Sequence, residues 1–281
     1  MSDKFKSYLP KNAKFKNIIY KKNDYKATIT INREKKLNCL NLETINELTL
    51  AFKDASWDDN IAVIVLTGTG KRAFSTGADL DEQEKYFLKN PDDYYKWMYE
   101  FIQLHEVMRN VGKPTIARLN GMVVGGGNEL NMSCDLAIAA DHIIIKQVGA
   151  ARGSVAAAGA TQFLPLIVGD RRAREILFLC EDIPVMKALD WGLVNQVVPY
   201  DKLDEAVDIL AEKLFNKLPE CLRYTKQQLN FWRDLSWHTT IGSARDWLSI
   251  HNLSPEVSEG ISAFNEKRKV NYKKIRKADK K

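Results

Sequence analysis

The chain opens with alternating apolar and polar positions. "NIIYKKNDYKATITINR" (17–33) predicts two strands around the turn residues Asn23 and Asp24, the second alternating through Ala27, Ile29 and Ile31. "NLETINELTLAFKDAS" then switches to helical spacing at Ile45, Leu48 and Phe52. "IAVIVLTG" (61–68) is apolar without a break and ends in glycine, which suits a parallel strand buried on both faces. A polar loop, "TGKRAFSTGADLDE", is expected to lead into a long helical stretch rich in Tyr, Trp and Met that ends near Val111. "KPTIARLNG" (113–121), "LAIAAD" and "IIIKQ" read as strands, with a helix beginning at "GGGNELNMSCD". From about Thr161 the period becomes helical almost throughout, "NQVVP" being the one remaining strand-like run. The pattern predicts a βα-repeated core, residues 1–200, followed by a helical region, 201–281.

Composition narrows the class. The 281 residues are 45% hydrophobic and 28% charged, ordinary for a globular chain with a sizeable core. No apolar run reaches the ~18 residues of a membrane span, and "MSDKFKSYLPKNAKFK" lacks the apolar centre of a secretory signal. Its lysines suit a solvated arm, and the expected compartment is the cytoplasm, with no membrane partner. Cys39, Cys134, Cys180 and Cys221 form no CxxC pair, and His105, His142, His238 and His251 form no HxxH or HxxxH pair. The sequence therefore predicts no metal site and no resident cofactor, with Cys134 and Cys180 as core thiols. Net charge is +6, but residues 267–281, "KRKVNYKKIRKADKK", carry a local +8, so the rest sums to −2. A near-neutral body with a basic tail fits solubility, phosphate or an anionic surface.

Two glycine loops carry the chemistry. "GTGKR" (68–72) is not a phosphate loop, which would need Gly at Val65 and Ser or Thr at Arg72; "GGGNEL" departs from GxGxxG at Leu130. Instead, "STGAD" (75–79) follows "IAVIVLTG" and "VVGGGNE" (123–129) follows "TIARLNG", so both are expected at the carboxyl ends of strands. Glycine lets backbone N–H groups approach a ligand, and a helix starting near Gly126 adds positive potential. One N–H from each loop would form an oxyanion hole. The competing reading is that the glycines serve only close helix–strand packing.

"AFSTGADL", "NGMVVGGGNELNMSCDLAIAAD" and "ALDWGLVNQVVP" resemble the crotonase (enoyl-CoA hydratase/isomerase) superfamily over residues 15–275. The resemblance implies an α/β fold, a spiral of ββα turns with a helical C-terminal trimerisation region, assembled as a homotrimer or homohexamer. It implies an acyl-CoA thioester substrate, with the N–H groups of Ala78 and Gly126 as oxyanion donors. Adenine would lie against the backbone around Thr76, Asp79 and Leu80. Lys35 or Lys36 of "NREKKLN" would meet CoA phosphates, and Lys267 of "EKRKVNY" would reach CoA on an adjacent subunit.

Glu129 matches the first catalytic glutamate of the hydratases. Apolar surroundings should raise its pKa and suit it to proton transfer near neutrality; taken alone it reads as an acid at a helix N-terminus, and within the motif as catalytic. The second hydratase glutamate falls at Gly149, and the acid that ring-forming and ring-opening relatives carry falls at Ala156. Gly149 is expected to leave room for a bulkier acyl group, a water or a small anion near Ser154. Ser154 is either a water-positioning hydroxyl or a turn residue. Tyr86, Tyr94, Tyr95 and Trp97 are either the wall of a flat acyl pocket or ordinary packing. Asp79, Asp81, Glu82 and Glu84 read as first-turn acids, one of which can face the pocket.

"NPDDYYKWM", "GSVAAAGATQFLPLIVG", "LPECL" and "ARDWLSIHN" are similar to segments of the 6-oxocyclohex-1-ene-1-carbonyl-CoA hydrolases of anaerobic aromatic degradation, although the chain lacks their long insertion after "VVP". The resemblance implies a hydratase or hydrolase that adds water to an alicyclic enoyl-CoA and opens the ring. The alternatives are an ordinary 2-enoyl-CoA hydratase or isomerase and an RNA-binding homologue. Tyr272 is the only aromatic in the basic tail, which argues against nucleic acid.

Overall fold

The buried run Val63–Gly68 (β3) lies inside a six-stranded sheet ordered β1, β2, β3, β5, β7, β10 in a computed structural model that describes residues 8–9 and 13–278. β1 (Ile18–Asn23) and β2 (Lys26–Ile31) form an antiparallel hairpin, turned at Asp24 with φ 50°. β2, β3, β5 (Thr115–Leu119), β7 (Leu136–Ala140) and β10 (Gln196–Val198) then run parallel. A second sheet is ordered β4 (Ala73–Ser75), β6 (Met122–Val124), β8 (Ile144–Lys146), β9 (Ile183–Pro184). Successive strand pairs divide themselves: β3, β5 and β7 enter the larger sheet, and β4, β6 and β8 the smaller. Each ββα unit is thus one turn of a spiral.

The helices follow local signals. Asn41 caps α1 (Leu42–Trp57), its side chain accepting from the Thr44 N–H at 2.9 Å, and Ile45, Leu48 and Phe52 are fully buried. Each such side chain contributes about 1.5–3 kcal/mol by leaving water. The helical stretch expected from residue 80 to 111 is divided. A short α2 (Leu80–Glu82) runs into a π-turn at Gln83–Phe87, and α3 (Pro91–Asn110) restarts behind the Asn90 cap with Pro91 in its first turn. α4 (Gly126–Ser133), α5 (Ala160–Val168), α6 (Asp170–Leu179) and α7 (Val185–Asp190) complete the core.

Helices dominate after residue 200: α8 (Leu203–Phe215), α9 (Pro219–His251), α10 (Pro255–Asn265) and α11 (Tyr272–Ala278). α9 packs on α3 through fully buried Trp237, which stacks on Phe163 at 5.6 Å. The Arg109 guanidinium lies 4.0 Å from the Trp237 ring centroid and 5.2 Å from that of Phe163, its Nε donating to Asp234 at 3.0 Å.

Three short strands depart from the expected elements. β4 lies inside the stretch read as a polar loop, β6 overlaps the segment read as the second glycine loop, and β9 adjoins a stretch read as helix. Two or three residues give periodicity nothing to act on; pairing with β6 and β8 makes them strands. The expected lysine-rich arm lies mostly outside the described residues, as do the last three residues of the basic tail. No helix among the described residues is long and apolar enough to cross a membrane.

Candidate active site

The glycine loops leave adjacent parallel strands of the smaller sheet, β4 and β6, rather than the larger sheet that the sequence pattern suggested. Their exits are therefore side by side. Leu40 bridges to the first loop: its N–H donates to the Gly77 carbonyl at 2.7 Å, and its carbonyl accepts from the Asp79 N–H at 2.9 Å. In such a parallel bridge the intervening residue, Ala78, turns its own N–H to the opposite side. That N–H donates to no acceptor among the described residues, and neither does the N–H of Gly126, the first residue of α4. The triple glycine serves three ends. Gly125 turns the chain at φ 55°, Gly126 carries the free N–H, and Gly127 packs so closely that a Cβ would lie 2.1 Å from the Ser75 carbonyl oxygen. Packing and exposed donors coexist in one loop.

Glu129 sits in the first turn of α4, 5% exposed, with Oε1 lacking any hydrogen-bond partner. Burial pushes its carboxyl up to about 8, against a backbone hydrogen bond from Ala158. Burial, with the Glu129 charge adding, pushes the Tyr94 phenol up to about 12. Tyr94 stacks on Trp97 at 6.0 Å and Trp97 tilts against Phe101 at 5.2 Å. The Phe101 ring edge lies 3.0 Å from where a Cβ on Gly126 would stand. One face of α3 therefore carries this ring ladder up to the second glycine loop. Tyr86 and Tyr95, also expected as pocket wall, are exposed.

Gly149 corrects an expectation. A Cβ there would lie 2.9 Å from the Ser154 carbonyl oxygen and 3.0 Å from the Ala156 nitrogen. The space of a second carboxylate is filled by the backbone of residues 154–156, held by a 2.9 Å bond from the Ser154 N–H to the Gly149 carbonyl. A side chain starting at Gly149 would meet this backbone rather than open space. Ala156 is half-buried and packs on the core.

The four acids after the first loop all have partners. Asp79 accepts from Arg33 at 2.7 Å and caps α2. Burial opposes its charge, yet the Arg33 and Glu82 donors hold its carboxyl below the ordinary value. Asp81 pairs with Lys36, Glu82 accepts from the Leu42 N–H at 2.9 Å, and Glu84 accepts from Asn265. Lys35 is exposed, and the Thr76 hydroxyl donates to the Leu37 carbonyl at 3.3 Å. Leu80 is half-buried at the start of α2. Lys267 is exposed just beyond α10, whose Asn265 ties it to the π-turn of the same chain. Sequence reasoning missed Arg33, the organiser of the Asp79 turn. Among the described residues no three His, Cys, Asp or Glu side chains are grouped to hold a metal.

Repeated ββα units distributed over two sheets, with a helical C-terminal region, define a crotonase-type fold. The chain belongs to the enoyl-CoA hydratase/isomerase family, whose model matches residues 22–276. It is similar to solved enoyl-CoA hydratases from Mycobacterium avium subsp. paratuberculosis (25% identity, 92% of this chain and 99% of that one, TM-score 0.84) and Bacillus anthracis (30%, 92% and 99%, TM-score 0.75). An enoyl-CoA hydratase/isomerase from Xanthobacter autotrophicus is 26% identical over 90% of this chain and 94% of that one, with TM-score 0.83. The chain is a crotonase-family enzyme of CoA-thioester hydratase/isomerase chemistry.

Proposed function

We propose that the enzyme adds water to a 2-enoyl-CoA thioester at the site between the two glycine loops. The observation that carries this reading is the pair of unclaimed N–H groups, Ala78 and Gly126, next to the buried carboxylate of Glu129. The thioester oxygen takes both N–H groups, which strengthen as it becomes an enolate oxygen. Glu129 receives a proton from the attacking water; a carboxyl raised to about 8 is a competent acceptor near neutrality. Adenine lies along the Thr76, Asp79 and Leu80 backbone, Lys35 and Lys36 meet CoA phosphates, and Lys267 approaches from the C-terminal region. Residues 1–200 form the binding core, and residues 201–281 supply the surface for a homotrimer or a pair of trimers. Phe231 and Trp232 on α9, 74% and 71% exposed, support such an assembly.

The narrower reading, ring opening of an alicyclic enoyl-CoA, draws on the segments similar to the ring hydrolases. One structural observation supports it: Tyr94, Trp97 and Phe101 form an aromatic ladder on α3 beside the second glycine loop. The filled space at Gly149 removes the other argument for it. Mass spectrometry of products from linear and cyclic enoyl-CoA esters in H₂¹⁸O tests both readings. One incorporated oxygen is hydration; a second, with a new carboxylate, is ring opening. No product from any ester would overturn the assignment.

A further inference from the structure

We infer, on the reading that this site processes a CoA thioester, that Arg33 is a positioning residue that fixes the Ala78 N–H as an oxyanion donor. Arg33 stands at the base of a closed turn that follows β2. Glu34–Lys36 form a short 3-10 turn, and Leu37 and Asn38 take left-handed φ values of 52° and 54°. The Asn38 N–H donates to the Arg33 carbonyl at 3.0 Å, and the Arg33 N–H donates to the Asn38 side-chain oxygen at 3.1 Å. Asn38 also ties the turn to β4, its Nδ2 donating to the Ala73 carbonyl at 2.8 Å. From this base the guanidinium makes two diverging contacts. Nη2 donates to the Asp79 carboxylate at 2.7 Å, and Nη1 donates to the Cys39 carbonyl at 2.6 Å. The next residue, Leu40, makes the two backbone bonds to Gly77 and Asp79 that bracket Ala78. Ala78 is therefore held in a closed circuit that runs from Asp79 through Arg33, Cys39 and Leu40 back to residues 77 and 79.

Arg33 belongs to "NREKKLN", the segment expected to meet CoA phosphates, so a phosphate contact is the competing role. Exposure separates the cations of that segment. Lys35 is exposed and the Lys36 side chain is 55% exposed, whereas that of Arg33 is 14% exposed with Nη1 and Nη2 both engaged. A planar guanidinium supplies two donors in fixed directions, which the point charge of a lysine cannot reproduce. The Asp79 carboxylate gains a second duty from the same contact. Its other oxygen accepts from the Asp81 and Glu82 N–H groups at 3.1 and 3.3 Å, so the start of α2 is fixed together with the loop. An oxyanion donor acts only at its proper distance from the developing charge, and misplacement by about 1 Å can cost about 10²-fold in rate.

The test compares Arg33→Met with the wild type on crotonyl-CoA and on crotonyl-pantetheine, which lacks every phosphate of CoA; the acyl group is changed to whichever of the ester panel turns over fastest. The expected result is kcat reduced about 10²-fold on both thioesters, with KM for the CoA ester and binding of free CoA within about twofold of the wild type. A non-reactive enolate-mimicking CoA ester should bind about 10²-fold more weakly, because it draws on the same donor. Arg33→Lys keeps one of the two contacts and should recover about tenfold of the loss in kcat. Arg33→Met with Asp79→Asn should be as slow as Arg33→Met alone, because the two residues act through one contact, and it strands no buried carboxylate. If Arg33→Met fails to fold by circular dichroism, the double variant and Arg33→Lys carry the same comparison. Unchanged kcat in the folded variants reduces Arg33 to a turn stabiliser and overturns the inference alone. A loss that appears as a raised KM and vanishes on crotonyl-pantetheine makes Arg33 a phosphate ligand and overturns it equally. A wild type that neither binds the mimic nor converts any ester overturns the reading of the site itself.

Discussion

Gly77 and Gly126 are in backbone contact: a Cβ on Gly77 would stand 2.7 Å from the Gly126 nitrogen. The spacing between the two candidate oxyanion donors is therefore set by two residues without side chains. Gly77 also has φ 81°, which disfavours any other residue. Gly77→Ala should push the loops apart and, with one donor misplaced, lower kcat about 10²–10³-fold. Crotonyl-CoA kinetics beside a folding check by circular dichroism measure this. Unchanged kcat would mean that the two loops do not act together.

Glu129→Gln should bind the enolate mimic normally and lose about 10²–10⁴-fold in kcat. In the wild type, kcat/KM should rise as the pH passes about 8, because the proton acceptor must be ionised. Stability should run the other way. A carboxyl raised from 4.5 to about 8 takes up a proton on folding within that window, so the folded state loses stability as pH rises through it. Glu129→Gln removes this dependence and should melt higher than the wild type at pH 9, with a smaller gain at pH 5. Thermal unfolding at the two pH values decides it.

Gly149→Glu should not create a two-glutamate hydratase. Its Cβ would press on backbone atoms 2.9 and 3.0 Å away, and overpacking of this kind costs about 1–3 kcal/mol. The expected outcome is a lower urea midpoint and no gain on crotonyl-CoA. A folded variant with faster hydration would mean that the 154–156 loop yields easily.

Asp234→Ala should destabilise the chain by about 3–5 kcal/mol, because it strands the buried Arg109 charge between Phe163 and Trp237. Adding Arg109→Met should recover much of that loss by removing the unpaired charge. Urea unfolding of the single and double variants gives the comparison.

Replacing both Phe231 and Trp232 on α9 with Glu should shift light-scattering mass from three or six copies to one. A wild type that is already monomeric would remove the assembly from the proposal.

The sequence by itself determined the elements and residues whose signals are local. Helical spacing marks α1, the apolar run marks β3, and "GGGNEL" shows a helix start with a carboxylate in its first turn. Consecutive residues are held together by the chain, so these patterns need no distant partner. Tertiary structure alone decided the rest. β4 has only three residues and becomes a strand by pairing with β6, which brings residues 73–75 beside 122–123 and sets the glycine loops side by side. The space that a missing side chain suggests at Gly149 is occupied by backbone five to seven residues further along, a matter of how that loop folds back. Arg109 and Asp234, 125 residues apart, become a pair only through α9 crossing α3. Each of these depends on contacts between distant segments, whose free energy is absent from any local window of sequence.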